Sequence, residues 1–365
     1  MSEPAVLFTQ LPAARGVIAV ATLNAEKSLN SLTLEMVDLL RERLTAWEQD
    51  PAVLCVVLTG RGERAFCAGG DVVRLHRSAT ADDDHAAIFF EREYRLDYQI
   101  HTYSKPIVVW GNGIVMGGGL GLLGGASHRV VTESTRMAMP EITIGLFPDV
   151  GGTYLLNRAP GRTGLFLALT GVAINAADAL FAGLADRFIE HSRYDDVLAA
   201  LQALDCGPDD AYRKINGLLR GFETQSKSAQ PPSPLREHFD LIQQLTDADT
   251  LDAVVAQITD YSGDDPWISK GAKTLAAGCP TSMRLIGEQL WRGRHLSLKE
   301  IFQMELVLAC NCVRYPNFAE GVRALLIDKD RNPRFEPATL AQVDQALVDA
   351  HFTPPWQGSN PLNDL

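Results

Sequence analysis

The sequence lacks the long apolar runs and the leader-like start that would indicate a membrane or exported protein. No segment approaches the roughly 18 to 20 consecutive apolar residues that a membrane-spanning helix needs. Residues Met1 to Gln10 have neither a basic start nor a long apolar stretch. These absences predict a cytoplasmic protein that does not bind membranes.

Cysteine is scarce and scattered. The 6 cysteines form no CxxC pair, so neither a disulfide framework nor a zinc site is expected. Cys310 and Cys312 lie in the apolar run LVLACNCV, which favours buried thiols over metal ligands. The 8 histidines show no HExxH or other paired spacing, so the sequence implies no metal.

Positive charge is also in short supply. Lys and Arg number 33 against 45 Asp and Glu, which gives a net charge of −12. Proteins that bind nucleic acid through its phosphates need a basic surface, so this balance argues against a nucleic-acid partner. Apolar residues make up 46% of the 365 residues, enough for a large core in roughly two to two and a half domains.

The first half of the chain alternates predicted strands and helices. Val6–Gln10 and Val17–Thr22 are typical of a hairpin, and Val53–Thr59 is a continuous apolar strand of the fully buried kind. Leu34–Gln49 has apolar residues at helical spacing, and a second helix is expected over 82–103. Alternation of this kind predicts βαβ units and an α/β layered structure.

The character of the chain changes after about residue 190. Amphipathic helices are expected over 195–204, 209–222, 235–245, 251–261, 281–292 and 298–313. The polar Pro/Ser stretch 225–234 is expected to hold no helix and to form a mobile linker or loop. We therefore predict a catalytic core over 1–190 and a mainly helical region over 191–365 that covers the active site.

Two glycine-rich loops each follow a predicted strand. AFCAGGD occupies 65–71, and MGGGLG occupies 116–121 at the start of a predicted helix. Glycine allows a ligand to approach the backbone, and a helix start leaves N–H groups unpaired, so such loops suit oxygen anions. Neither loop matches a dinucleotide fingerprint or a P-loop. Two backbone N–H groups aimed at one point would form an oxyanion hole; tight strand-to-helix packing is the alternative role.

Two carboxylates lie in an apolar segment, MPEITIGLFPDVGG at 139–152. Glu141 and Asp149 are separated by Gly145 and Pro148, so we expect them on a folded-back loop rather than on one helix. Poor solvation among apolar neighbours raises the pKa of a carboxyl, which allows general acid–base chemistry near neutral pH. Helix capping or turn formation is the alternative role of these two residues.

Together these segments resemble the crotonase superfamily, and within it the 3-hydroxyisobutyryl-CoA hydrolase branch. MPEITIGLFPDVGG is the most specific match. It is supported by AFCAGGD at 65–71, FFEREY at 89–94, GNGIVMGGGLGL at 111–122 and FAEGVRALLIDKDRNP at 318–333. The resemblance implies a crotonase (ClpP-like) α/β fold of repeated ββα units, with two roughly perpendicular sheets and a helical C-terminal region. It leaves open whether the chain forms a homo-oligomer, as the core family often does.

The resemblance also implies an acyl-CoA substrate and residues that act on it. The oxyanion-hole donors would be the N–H groups of Gly70 and Gly118. The substrate-contacting or catalytic residues would be Glu93, Glu141 and Asp149. The implied activity is hydrolysis of 3-hydroxyisobutyryl-CoA or a similar short 3-hydroxyacyl-CoA, as in valine catabolism. No separate cofactor is needed, because coenzyme A is part of the substrate.

Two other functions are weighed against the hydrolase. Crotonases that hydrate enoyl-CoA resemble a pattern with a second glutamate, and Gly121 stands at its position here. Hydration needs both a base and an acid, so this loss argues against hydratase or isomerase activity. Some members of the fold are scaffolds or RNA binders, but the acidic net charge and the intact pair of Glu141 and Asp149 argue against that role.

A net-acidic protein needs local positive charge to hold polyanionic CoA. Arg61 and Arg64 lie just before the first glycine loop, Lys27 precedes the first helix, and Lys329 lies in the segment IDKD. These four residues are the candidates for contacts with CoA, with simple surface solvation as the alternative for each.

Overall fold

Pairs of strands followed by helices organise the first part of the chain, as described by a computed structural model that covers residues 3–81 and 83–365. The strands are β1 Val6–Pro12, β2 Val17–Leu23, β3 Val53–Gly60, β4 Ala65–Cys67, β5 Ile107–Gly111, β6 Ile114–Met116, β7 His128–Val131, β8 Arg136–Ala138 and β9 Arg187–Phe188. The predictions for the start of the chain and for the start of the 82–103 helix fall in part on Met1, Ser2 and Asp82, which lie outside the described residues.

Helices dominate the rest of the chain. Those of the first part are α1 Leu34–Gln49, α2 Val72–Ala81, α3 His85–His101, α4 Gly118–Gly124, α5 Gly152–Leu156, α6 Thr163–Thr170 and α7 Ala176–Phe181. Those of the second part are α8 Tyr194–Ala203, α9 Ala211–Ser226, α10 Pro234–Glu237, α11 Phe239–Leu245, α12 Leu251–Thr259, α13 Pro266–Ala276, α14 Pro280–Arg292, α15 Leu298–Arg314, α16 Pro316–Val322 and α17 Gln345–His351. Within the described part of the chain, no helix is long and apolar enough to cross a membrane.

The strands form two sheets. The larger one has the order β1-β2-β3-β5-β7-β9, and the smaller one has the order β4-β6-β8. Strands β1 and β2 form the antiparallel hairpin that the sequence predicts, and the remaining pairs of the larger sheet are parallel. In the pairs β3/β4, β5/β6 and β7/β8, the first strand joins the larger sheet and the second joins the smaller one. The predicted α/β fold of repeated ββα units is confirmed.

The chain packs into two compact units. The first unit comprises Met1–Gly70, Leu96–Met137 and Ile174–Ser233. Its core is built on β3, whose residues 53–58 are all buried, as expected of a strand covered on both faces. The second unit comprises Asp71–Arg95, Ala138–Ala173 and Pro234–Leu365. The predicted division into a catalytic core over 1–190 and a mainly helical region over 191–365 stays a prediction.

Some predicted helix boundaries are corrected. The helix expected over 82–103 is α3, which begins at His85 and ends at His101. The helix expected over 235–245 is two helices, α10 and α11. Apolar periodicity continues across this break, so the sequence pattern alone does not reveal it.

The Pro/Ser stretch 225–234 is more ordered than its composition suggests. The composition predicts no helix here, yet α9 runs to Ser226 and a 3₁₀ turn covers Lys227–Ala229. This turn comes before the prolines, so its amide donors are intact.

Hydrogen bonds anchor the end of this stretch within the first unit. The side chain of Asn175 donates to the carbonyl oxygen of Pro232, and the Ser233 hydroxyl donates to Asp178. The mobility of the stretch stays a prediction.

Candidate active site

The three predicted carboxylates are all buried in the second unit. Glu93 lies on α3, Glu141 opens a 3₁₀ turn at Glu141–Ile144, and Asp149 precedes α5. Their exposed fractions are 2%, 5% and 4%, respectively. Glu141 and Asp149 therefore lie on a folded-back loop, as their spacing predicts.

Close packing on Gly145 shapes that loop. Gly145 ends the 3₁₀ turn with a φ of +69°, a left-handed conformation that glycine adopts readily. A Cβ at this position would lie 2.5 Å from the backbone of Asn317, at the start of α16. From the other side, a Cβ on Gly321 would lie 2.5 Å from the Cα of Ile144. The turn and α16 thus approach backbone to backbone, and this contact fixes the position of Glu141.

Burial sets the electrostatics of the site. Burial raises the pKa of Glu141 well above its usual value, and the charge of Asp149 raises it further. Burial also raises the pKa of Glu93, with smaller contributions from Asp149 and Glu141. Neither Glu93 Oε1 nor Glu141 Oε2 has a hydrogen-bond partner among the described residues. The lack of a partner for these two oxygens agrees with the raised pKa of both carboxyls.

Asp149 differs from Glu93 and Glu141 because a tyrosine hydroxyl donates a hydrogen bond to its carboxylate. The Tyr94 hydroxyl, which is fully buried, donates to Asp149 Oδ2 over 2.8 Å. Burial raises the pKa of Asp149 to about 6, and the hydrogen bond from Tyr94 opposes that rise. Of the carboxyls that the sequence singles out, Asp149 is therefore the one best able to carry charge at neutral pH.

Sequence reasoning missed Tyr94 and two residues from later in the chain. Glu305 on α15 and Gln289 on α14 have an exposed fraction of 0%, and both bond the backbone next to Asp149. The sequence does contain a signal for the burial of Glu305, which is a charged residue within the apolar helical run MELVLAC. Burial raises the pKa of Glu305 to about 8, although hydrogen bonds from the loop lower it.

The two glycine loops meet in the first unit. A Cβ on Gly69, next to Gly70, would lie 3.8 Å from the backbone nitrogen of Gly118. A Cβ on Gly119 would lie 2.3 Å from the carbonyl oxygen of Cys67, so only glycine fits there. Gly118 is the first residue of α4, and its N–H therefore has no partner within the helix. The loop that carries Gly70 thus approaches Gly118, while the role of these two residues as an oxyanion hole stays a prediction.

The four predicted CoA cations are divided between the units. Lys27, Arg61 and Arg64 belong to the first unit, and Lys329 belongs to the second. All four are exposed. Arg61 is already engaged by an ion pair with Glu3. Contact of these residues with CoA stays a prediction.

The described residues offer neither a cluster of metal ligands nor a reactive thiol at Cys310. No group of three or more His, Cys, Asp or Glu side chains there could hold a metal ion. The six cysteines are buried and form no disulfide within the described residues, and burial is what the sequence predicts for Cys310 and Cys312. Burial raises the pKa of the Cys310 thiol to about 11, so this thiol is a poor nucleophile at neutral pH.

Comparison with known proteins gives a consistent set of relatives. The chain is 40% identical to the mitochondrial 3-hydroxyisobutyryl-CoA hydrolase of Gallus gallus over 349 residues, which cover 95% of this chain and 89% of that protein. The corresponding protein of Homo sapiens is 37% identical over 339 residues, which cover 93% of this chain and 86% of that protein.

Solved structures and a family model extend this likeness. A carnitinyl-CoA dehydratase from Mycobacterium thermoresistibile is 39% identical with a TM-score of 0.85, and the match covers 96% of this chain and 97% of that one. An enoyl-CoA hydratase from Rhodobacter sphaeroides 2.4.1 is 36% identical with a TM-score of 0.83, covering 96% and 98%. The model of the enoyl-CoA hydratase/isomerase family matches residues 18–352. The chain thus belongs to the enoyl-CoA hydratase/isomerase (crotonase) family and to its 3-hydroxyisobutyryl-CoA hydrolase branch.

Proposed function

We propose that this protein hydrolyses the thioester of 3-hydroxyisobutyryl-CoA, or of a similar short 3-hydroxyacyl-CoA, to the free hydroxy acid and CoA. The observation that carries the proposal is the buried Glu141, whose Oε2 has no partner in the described part of the chain, together with an Asp149 that Tyr94 holds. The names of the relatives from Gallus gallus and Homo sapiens, both 3-hydroxyisobutyryl-CoA hydrolases, support the choice of substrate.

The first chemical task is to polarise the thioester carbonyl. We assign it to the N–H groups of Gly70 and Gly118, because a glycine loop and a helix start offer unpaired donors. Donors of this kind in acyl-transfer enzymes contribute about 3 kcal/mol each to stabilising the oxyanion.

The second task is to deliver oxygen to the carbonyl carbon, and we assign it to Glu141. In one route its carboxylate attacks the carbonyl carbon, the C–S bond breaks, and CoA leaves as the thiolate; water then hydrolyses the mixed anhydride. In the other route Glu141 takes a proton from water as the water oxygen forms the new C–O bond. The C–S bond of the tetrahedral intermediate then breaks, and CoA leaves as the thiol after taking the proton back from Glu141. Asp149 and Glu93 are assigned to the 3-hydroxyl group or to proton transfer.

Hydration of enoyl-CoA is the second candidate, because the two similar solved structures are named as a dehydratase and a hydratase. The glycine-rich helix α4 argues against it: Gly121 is buried and has no side chain to donate or accept a proton. Hydration across a C=C bond needs an acid as well as a base, so we rank this activity below hydrolysis.

A substrate panel tests the proposal. The kcat/KM for release of free thiol is compared for 3-hydroxyisobutyryl-CoA, 3-hydroxypropionyl-CoA and acetyl-CoA, and crotonyl-CoA is followed for hydration. We expect the two 3-hydroxyacyl-CoA substrates to be preferred, with only modest discrimination between them because they differ by one methyl group. Faster hydration of crotonyl-CoA than hydrolysis of any thioester would overturn the proposal.

The variant Glu141→Gln tests the assigned residue. We expect kcat to fall by at least about 1,000-fold with the fold unchanged, because an amide neither attacks nor accepts the proton. Glu237→Gln is the matched control, because Glu237 is an exposed glutamate at the end of α10. Hydrolysis by Glu141→Gln at the rate of this control would show that the assignment is wrong.

Location, assembly and cofactor use remain proposals. We infer a cytoplasmic enzyme that needs no cofactor beyond the CoA of its substrate, whereas the animal relatives carry the word mitochondrial in their names. Cell fractionation tests the location, light scattering tests whether the chain forms a homo-oligomer, and activity after dialysis against a chelator tests the need for a metal.

A further inference from the structure

The loop that carries Asp149 has a strained backbone. Val150 has a φ of +53° and Gly151 a φ of +80°, so two consecutive residues after Asp149 are left-handed. Glycine adopts this conformation freely, but a β-branched valine does so only when the surroundings enforce it. Contacts from outside the loop must therefore hold these residues in place.

One of the holding groups is the carboxylate of Glu305 on α15. Its Oε2 accepts the N–H of Gly151 over 2.7 Å, and its Oε1 accepts the N–H of Thr153 over 2.9 Å. Both oxygens of one buried side chain thus bind amides at the start of α5. The two donated bonds lower the pKa of Glu305 but only partly offset the rise caused by burial, which leaves it at about 8.

The other holding group is the side-chain amide of Gln289 on α14. Its Nε2 donates to the carbonyl oxygen of Pro148 over 2.6 Å and to the Thr153 hydroxyl over 2.9 Å. Pro148 precedes Asp149 and Thr153 follows it, so Gln289 bridges the two ends of the loop. We call Gln289 and Glu305 together the clasp.

The loop conformation in turn determines where the Asp149 carboxylate points. The Asp149 carbonyl oxygen accepts the N–H of Gly152 over 2.7 Å and closes the turn, while Oδ2 meets the Tyr94 hydroxyl from α3. The hydrogen bonds of the clasp go to the backbone and to Thr153, not to the Asp149 side chain. Both clasp residues therefore act on the backbone that presents this carboxylate.

We propose that Gln289 and Glu305 are positioning residues, which hold the strained loop so that the Asp149 carboxylate stays in the orientation that the reaction needs. The inference rests on the proposed hydrolase function, because it assigns the clasp to the same site. It accounts for two fully buried polar side chains on helices whose buried faces are largely apolar. A misplacement of about 1 Å at a reacting group can lower a rate by about 100-fold, so the backbone support has a measurable effect.

The test compares two clasp variants with a control on α15, the helix that carries Glu305. Glu305→Gln keeps the size of the side chain but offers an NH₂ group to one of the two amide donors. Gln289→Met keeps the volume and removes both donated bonds. Glu300→Ala is the control, because Glu300 forms the capping box at the start of α15 and its loss destabilises that helix without touching the clasp.

Two measurements separate positioning from a merely structural role. In steady-state kinetics we expect Glu305→Gln to lower kcat by about 10- to 100-fold and Gln289→Met by about 3- to 10-fold, with KM within about 2-fold of wild type. In hydrogen exchange we expect faster exchange in a peptide spanning residues 147–156 for both variants. Glu300→Ala should lower the Tm and leave kcat and the exchange of this peptide unchanged.

A folded Glu305→Gln variant with wild-type kcat and wild-type exchange would overturn the proposal. If this variant does not fold, Gln289→Met decides by the same two readouts. If the wild-type protein hydrolyses no thioester of the panel, the proposed function fails on its own, and the exchange measurement still shows whether the clasp holds the loop.

Discussion

The hydroxyl of Tyr94 is the closest control on the charge of Asp149. In an apolar interior, a carboxyl without a partner tends to take up a proton, and a donated hydrogen bond favours the ionised form instead. The pKa of Asp149, about 6, is the balance of these two effects. The rate of a reaction that needs the Asp149 carboxylate should therefore fall as the pH drops through this value.

The variant Tyr94→Phe tests this balance. Loss of the donor removes the contribution that lowers the pKa of Asp149, so this pKa rises. The component of the acid limb of kcat that belongs to Asp149 then moves to higher pH, while the component of Glu141, whose pKa is raised well above its usual value, stays in place. The check is a profile of kcat between about pH 5.5 and about pH 9. Tyr212→Phe is the control, because the Tyr212 hydroxyl bonds a backbone carbonyl oxygen in the first unit. A limb that stays in place, or moves to lower pH, contradicts the assignment.

Single residues differ in how well the sequence predicts their surroundings. The apolar neighbours in MPEITIGLFPDVGG indicate that Glu141 and Asp149 are poorly solvated, and their burial and raised pKa confirm it. Nothing in FFEREY distinguishes Glu93 from a solvated helix residue. Its burial depends on what covers α3, and one such contact is the Tyr94 ring against Phe302, with centroids 5.8 Å apart. A contact with a residue so far along the chain leaves no local pattern.

At the scale of elements, the end of the chain supports the helix that carries Glu93. The Arg95 guanidinium on α3 donates to both carboxylate oxygens of Asp364, over 3.0 and 2.8 Å, and to the carbonyl oxygen of Pro361 over 2.6 Å. The Arg95 side chain is 17% exposed, so these bonds are only partly screened by water. The tail over 361–364 and α3 therefore stabilise each other.

We expect Arg95→Ala to lower the free energy of unfolding by about 1 to 2 kcal/mol, since its charge-assisted bonds are lost while Asp364 remains largely solvated. Urea unfolding measures the change. Arg213→Ala removes an exposed i,i+3 ion pair with Asp210 and should change stability much less, because water screens such pairs. Equal effects of the two variants would contradict a stabilising role of the tail.

Apolar periodicity predicts strongly amphipathic helices well, but it misses a helix whose main sequence signal is its N-terminal cap. The helices expected over 281–292 and 298–313 match α14 and α15 to within one residue at each end. The periodicity misses helix α13, although Asp265 caps it and Pro266 occupies its first position, a combination typical of helix starts. The signal of this helix lies in the cap rather than in the apolar period.

At the scale of the whole molecule, a net charge of −12 opposes the approach of CoA. Salt screens such repulsion over about 8 Å at physiological ionic strength, so exposed cations near the bound anion matter most. Arg64 and Lys329 are exposed, and neither takes part in an ion pair found within the described residues. Arg61 is paired with Glu3 instead.

We therefore expect Arg64→Glu and Lys329→Glu to raise KM for acyl-CoA by about 2- to 5-fold with little change in kcat. Lys27→Glu should act in the same direction. Arg61→Glu should have a smaller effect, because Glu3 already neutralises this guanidinium. Steady-state kinetics at low and high salt provide the measurement, and the differences should shrink at high salt. A KM that is unchanged in all four variants and insensitive to salt contradicts CoA binding at these residues.

The second unit is assembled from three segments that are distant along the chain, so the ribosome makes its first segment long before its last. Arg95 and Asp364 are separated by 269 residues. A ribosome that adds about 5 to 20 residues per second needs roughly 13 to 54 seconds to cover that distance. For much of that time α3 lacks some of the elements that cover it, among them α15 with Phe302. We therefore expect the nascent chain to be more open to proteases than the finished protein.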